Sequence, residues 1–146
     1  MAFFKQGFNC CQSVVMTFSD IAGLEPEILA KIASGFGGGM GRMREVCGAF
    51  SGMVAVSGFI SPAADPSSHE ARTASYALVQ DFARKFRERN GGSIICRELL
   101  GLTRNVKESP APSERTTEYY KKRPCEQIVG TAAYIIAENL LERSGN

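Results

Sequence analysis

The sequence predicts an all-α protein, a single-domain helical bundle of five to seven helices over residues 1–146, with a central apolar helix near residues 45–60. Apolar residues recur at intervals of three and four along most of the chain, the period of a helix face. Long alternating runs of β-branched residues are absent, and the apolar stretches are bracketed by residues that start or stop helices. A chain of 146 residues can bury a core without disulfide staples.

The first helix is expected to start at Asn9, a good N-cap, with Gln12 placed to complete a capping box. Val14, Val15, Phe18 and Ile21 supply its apolar side and Gly23 ends it. Pro26 opens a second helix through Ile28, Leu29, Ile32 and Ala33. The segment from Gly35 to Arg42, with five glycines in the seven residues 35–41, reads as a loop. The third helix, from about Glu45 to Ile60, is apolar or small on nearly every side, as a central helix should be. Its Gly48, Gly52 and Ala55 would admit close backbone neighbours. After a Pro-containing turn at Ser61–Pro66, a fourth helix runs from about Ser67 to Arg89, with Ala71, Ala74, Leu78, Phe82 and Phe86 as its stripe. Asn90-Gly91-Gly92 stops it, and Ser93 can cap a short fifth helix ending at Leu100-Gly101. Thr103 to Ser113 reads as a loop. The last helix runs from about Pro124 to Arg143 and buries Ile128, Val129, Ala132, Ile135, Ile136 and Leu140.

Charge and hydropathy narrow the function classes. Seventeen basic against fifteen acidic side chains leave +2, too weak a field to indicate a nucleic-acid surface. The stretch from Val46 to Ile60 is short and glycine- and serine-rich, so no membrane span is expected. Polar Lys5, Gln6 and Asn9 interrupt any signal-like apolar run, and the reading is cytoplasmic. Five cysteines, an odd number, argue against a static disulfide framework in a reducing compartment. Phe3, Phe4 and Phe8 read as exposed apolar surface that a second copy could cover in a homo-oligomer.

The cysteines fall at expected helix starts. Cys10 and Cys11 follow Asn9, Cys47 follows the glycine loop, Cys96 lies three residues after Ser93, and Cys125 follows Pro124. Unpaired N–H groups at a helix start favour thiolate, by about 0.3–1 kcal/mol per terminus. That is less than one pKa unit, so nearby cations are needed; Arg42, Arg44, Arg97 and Arg123 are adjacent in sequence. Against this stands the ordinary tendency of free cysteine to be buried and inert. No C-x-x-C occurs, so any shared site must be assembled by the fold.

Several segments carry a family resemblance: Gly7-Phe8-Asn9-Cys10, the run Phe36 to Gly41, Cys47-Gly48-Ala49-Phe50-Ser51-Gly52, Cys96-Arg97-Glu98-Leu99-Leu100-Gly101 and the late Cys125. Together they resemble the redox-active protein family named for its C_GCAxxG_C_C cysteine pattern, over almost the whole chain. The resemblance implies four signature cysteines, Cys10, Cys47, Cys96 and Cys125, with Cys11 a bystander or a resolving thiol. It also implies redox activity, with an iron–sulfur cluster or other thiolate-bound metal on the same four cysteines as the kind of prosthetic group in view, and genes for transporters or oxidoreductases nearby. The cofactor's identity, and the redox partner protein or small-molecule substrate, stay open.

Other features are weaker. The glycine loop is neither a dinucleotide fingerprint nor a P-loop. Gly38, Gly39 and Arg42 could still form a cofactor- or ligand-binding corner, by close backbone approach to Cys47 or a small ligand, and a tight connection with φ > 0 accounts for the glycines equally well. His69 reads as a solvated surface residue, and Glu98 as a helix carboxylate that could accept a proton from Cys96. The run Tyr119 to Arg123 reads as the rim of a helix, and Met16, Met40, Met43 and Met53 as packing. The leading expectation is electron transfer by thiol–disulfide exchange or a thiolate-bound centre. The alternatives are a non-catalytic metal-binding or accessory module for a transporter or oxidoreductase, and a helical interaction domain with inert cysteines.

Overall fold

In a computed structural model that describes residues 1–102 and 108–145, the chain is all-α, with ten helices and a 3-10 turn among those residues. The helices are α1 (Ala2–Lys5), α2 (Cys10–Thr17), α3 (Ser19–Ala22), α4 (Pro26–Ile32), α5 (Gly37–Met40), α6 (Gly48–Ile60), α7 (His69–Arg89), α8 (Cys96–Leu99), α9 (Thr117–Lys122) and α10 (Cys125–Ser144). The count exceeds the expected five to seven because short turns at α1, α3, α5 and α9 add to the longer helices. Such pieces are too short for an apolar period to register. The expected loop from Thr103 to Ser113 is irregular over 108–113, and 103–107 lie outside the described residues.

Asn9 caps α2 as its chemistry suggests. Its Oδ1 accepts from the Gln12 N–H at 3.0 Å, and Gln12 Oε1 accepts from the Asn9 N–H at 2.9 Å. Both side chains also donate outward, Asn9 Nδ2 to the Ser34 carbonyl and Gln12 Nε2 to the Ala30 carbonyl, which ties the start of α2 to the end of α4. The expected single helix from Asn9 to Gly23 breaks at Phe18, whose φ of −112° and ψ of 34° leave the helical region. The break turns Ile21 outward, so it is exposed rather than core.

The apolar helix is central, but it begins at Gly48 rather than Glu45. Residues 44–47 are not helical and instead pair with 94–97. The Cys47 N–H bonds the Ile94 carbonyl, the Cys96 N–H bonds the Glu45 carbonyl, and Val46 and Ile95 form an antiparallel bridge. Helix α6 packs chiefly on α2, with α7 and α10 on its other sides. A Cβ on Gly48 would stand 2.9 Å from the Phe36 carbonyl oxygen and 3.2 Å from Cys10 Cβ, so glycine is required for that approach. Gly52 makes a similar approach to Val14, whereas Ala55 is exposed.

One continuous core joins Phe4, Val14, Phe50, Met53, Phe82, Phe86, Val129 and Ile135 across the helices. At about 25 cal/mol per Å² of apolar surface removed from water, large side chains like these dominate stability. The α7 stripe is buried only in its second half; Ala74 is exposed, because the start of the helix extends past its neighbours. In α4, Leu29 and Ala33 are buried while Ile28 and Ile32 face outward, Ile32 at 62% exposure. Leu140 is half-buried. Met16 and Met53 are core, Met40 is half-buried, and Met43 is 63% exposed and packs on little. The expected exposed cluster at Phe3, Phe4 and Phe8 is overturned: Phe4 is 1% exposed, and Phe3 and Phe8 stack edge-to-face while half-buried. Among the described residues no helix is long and apolar enough to cross a membrane.

Candidate functional site

All four signature cysteines border one small cavity of about 60 Å³. Each arrives on the start of a helix: Cys10, Cys96 and Cys125 are the first residues of α2, α8 and α10, and Cys47 is the N-cap of α6. The pairing of 44–47 with 94–97 sets Cys47 beside Cys96, and the cap at Asn9 sets Cys10. Cys11, one position on, is buried and lines a separate apolar cavity of about 240 Å³ between α2, α4 and α6.

The glycine run brings backbone to the cavity shared by the thiols, closest at Cys96. Gly38 and Gly39 line the cavity with φ of 63° and 68°, which glycine adopts freely. A Cβ on Gly39 would lie 2.6 Å from Cys96 Cβ. Met40, Arg42 and Arg44 also have positive φ, costing roughly 1–2 kcal/mol each for side chains of this kind.

Contacts to Glu108 hold that strain. Arg44 donates through Nε to Glu108 Oε1 at 2.9 Å and through Nη2 to Oε2 at 2.5 Å. Arg42 Nη2 reaches the same carboxylate at 2.9 Å, and its Nε and Nη1 bond Ser109 O and Ser113 Oγ. Arg42 therefore fastens the 108–113 segment; of the expected corner of Gly38, Gly39 and Arg42, the two glycines border the thiol cavity, and Arg42 lines an adjoining cavity together with Gly38. Arg44 borders the thiol cavity: it is 6% exposed, with Nη1 3.9 Å from Cys96 Sγ.

Three more side chains wall the cavity: Arg115, Tyr119 and Arg123. Arg115 lies over the rings of Phe4, at 4.3 Å, and Tyr119, at 4.8 Å, and Arg123 lies over Tyr119 at 5.1 Å. Arg123 was legible as a cation beside Cys125. Arg115 and Tyr119 were not, because the bend between 113 and 117 that folds them inward has no periodic signature. Arg97 pairs with Glu45 at 3.5 Å, Glu98 accepts a hydrogen bond from Ser93 Oγ and does not border the cavity, and His69 is exposed.

The electrostatics divide the thiols. Burial pushes Cys47 up to about 11, although the N–H groups of Ala49 and Phe50 pull the other way. Burial also raises Cys96 against the opposing Arg44 guanidinium, and lifts Cys11 to about 12. Helix starts were expected to favour thiolate throughout; at these positions desolvation, which can reach 3–5 pKa units, outweighs a terminus. Cys125 alone goes down, to about 7. The Cys10 thiol donates to its sulfur, and Arg123, Arg115 and Arg44 add attraction. Cys10 is driven well up by the same hydrogen bond and by burial. The two sulfurs thus act on each other at the cavity wall, Cys10 pushed up and Cys125 held down.

Four thiolates are the right donors for a metal or iron–sulfur centre, the group the resemblance implies. Among the described residues, however, no three Cys, His, Asp or Glu side chains are grouped closely enough to hold an ion. As placed, the thiols do not fit one. Comparison with curated proteins and with solved structures returns no match. The family model described as "Putative redox-active protein (C_GCAxxG_C_C)" matches residues 8–139, nearly the whole chain, and the chain belongs to that family.

Proposed function

We propose that this chain is a two-electron thiol–disulfide redox protein whose working pair is Cys10 and Cys125. The observation that carries the reading is that Cys10 and Cys125 border one small cavity walled by Arg44, Arg115 and Arg123, where Cys10 and these cations hold the Cys125 thiol below its ordinary value. The Cys125 thiolate attacks one sulfur of a substrate disulfide R–S–S–R. The S–S bond breaks and RS⁻ leaves with the bonding pair. Cys10 passes its proton to that thiolate and attacks Cys125 in the mixed disulfide, releasing the second RS⁻. The protein ends as a Cys10–Cys125 disulfide, two electrons poorer, and the substrate ends as one thiol and one thiolate, the latter taking its proton from water. A redox partner, either a protein or a small thiol, then supplies two electrons to reopen the bond.

Cys47 and Cys96 stay protonated in this scheme and shape the dry side of the cavity. The odd number of cysteines suits a reducing cytoplasm, where the resting state is the dithiol. The test is anaerobic purification with metal analysis and an absorption spectrum, then oxidation by one equivalent of a small disulfide and peptide mapping. A peptide linking Cys10 to Cys125, formed with loss of two thiols, is the expected result. Stoichiometric metal with a thiolate charge-transfer band would favour the metal centre instead. Thiols that neither bind metal nor cross-link would leave the accessory or packing role.

A further inference from the structure

We propose that the thiol pair serves a small, negatively charged disulfide, one bearing carboxylates, held in an arginine-lined vestibule beside it. This rests on the dithiol reading above and adds the substrate class. The thiol cavity alone is too small for a substrate, but a second cavity of about 370 Å³ lies against it and shares Arg44, Arg115, Tyr119 and Arg123 with it. Arg42 and Ser113 line its outer part. Its size falls within the range of small-ligand sites, about 300–1,000 Å³.

Four guanidinium groups line this space, and the carboxylate set against them, Glu108, is already shared between Arg42 and Arg44. Arg115 and Arg123 have no ion-pair partner among the described residues and rest on aromatic rings instead. Arg115 Nη1 is buried without a hydrogen-bond partner there, although its Nη2 bonds the Phe8 carbonyl. Buried donors are nearly always paired, so an unpaired guanidinium nitrogen marks a place where an acceptor is missing. A carboxylate matches the planar fork of an arginine. The arrangement would hold the anionic arms of a disulfide and leave its sulfurs next to Cys125, and the same charge would keep cationic disulfides out.

The test uses the fully reduced protein and three disulfides of similar length: 3,3′-dithiodipropionate, 2-hydroxyethyl disulfide and cystamine. Their charges are −2, 0 and +2, and second-order rates are divided by those for free 2-mercaptoethanol to remove intrinsic reactivity. At low ionic strength the dianion should lead the dication by roughly tenfold or more, the lower part of the range by which charged clefts alter on-rates. Added salt at about 0.5 M should shrink the ratio, because screening then acts over a few ångströms. Arg115→Gln or Arg123→Gln should lower the dianion-to-dication ratio. The neutral disulfide reports any change in thiol reactivity caused by the same substitution. Normalised rates equal across the three disulfides, in the wild-type protein at low salt, overturn the proposal while leaving the dithiol chemistry intact. Reaction with none of them, and no Cys10–Cys125 bond, overturns the dithiol reading itself.

Discussion

Replacing Cys10 by alanine removes the thiol that donates to Cys125 and leaves the arginines in place. Cys125 lies near 7 instead of 9.0, a preference for thiolate worth about 3 kcal/mol at roughly 1.4 kcal/mol per pKa unit. Hydrogen bonds to charged groups contribute about 1.5–3 kcal/mol, and a thiol is a weak donor, so the lower end applies. Loss of that bond should raise Cys125 by roughly one unit, with Arg123, Arg115 and Arg44 holding the remainder. At pH 7 the thiolate fraction then falls from about one half to about one tenth, and alkylation of Cys125 slows about fivefold. Iodoacetamide labelling from pH 5 to 10, quenched and read peptide by peptide, gives the midpoint for Cys125 alone. Cys10→Ser is the control: it also lacks the sulfur but keeps a donor, so its midpoint should stay near that of the wild type. Identical midpoints in the alanine and wild-type proteins would refute the assignment of Cys10 as the donor.

Three further outcomes follow from the same geometry. Cys11 and Cys47 hold their protons up to about 12 and 11, whereas the unfolded chain releases them near 9; stability is therefore full below pH 9 and declines as pH rises toward 11–12. Calorimetry should show Tm falling over that window and a shallower fall in Cys11→Ala; a flat profile would contradict the burial argument. Gly39→Ala should cost about 2–4 kcal/mol by urea titration, combining positive φ with a Cβ 2.6 Å from Cys96 Cβ, whereas Gly41→Ala, whose Cβ meets nothing closer than 3.9 Å, should cost only about 1–2. Equal costs at the two positions would remove the case for close approach. Glu108→Gln leaves buried Arg44 without its counter-charge and should destabilise by about 2–3 kcal/mol, below the usual 3–5 because Glu108 is itself 24% exposed. A loss under 0.5 kcal/mol would mean that the clamp does not hold the loop.

What could be read in the sequence was mostly local. Asn9 and Gln12 announce α2 because a capping box is a short-range pattern, and the glycines from 35 to 41 announce a bend because few other residues tolerate it. The placement of four cysteines at helix starts was legible for the same reason. Their charge states were not, since desolvation depends on which distant segments cover each sulfur. Arg42 and Arg44 are indistinguishable as letters two apart, yet one fastens the 108–113 segment and the other faces Cys96. Arg115 reaches the cavity only because Thr116 caps α9 and turns the chain back over Phe4. Ile21 and Ile32 were misplaced because an apolar letter at helical spacing does not reveal where the helix breaks or how far its neighbours extend.

The pairing of 44–47 with 94–97 bears on how the chain matures. It closes a long loop, with α6 and α7 inside it, through a few main-chain bonds, and such distant contacts form late because their entropy is lost before any contact offsets it. Until that closure the sulfurs are separate, solvated and open to any oxidant, and wrong partners are as accessible as the right one. Refolding under air should therefore trap scrambled cross-links, and refolding with reductant present should not, so the order of events is fold first and oxidise afterwards.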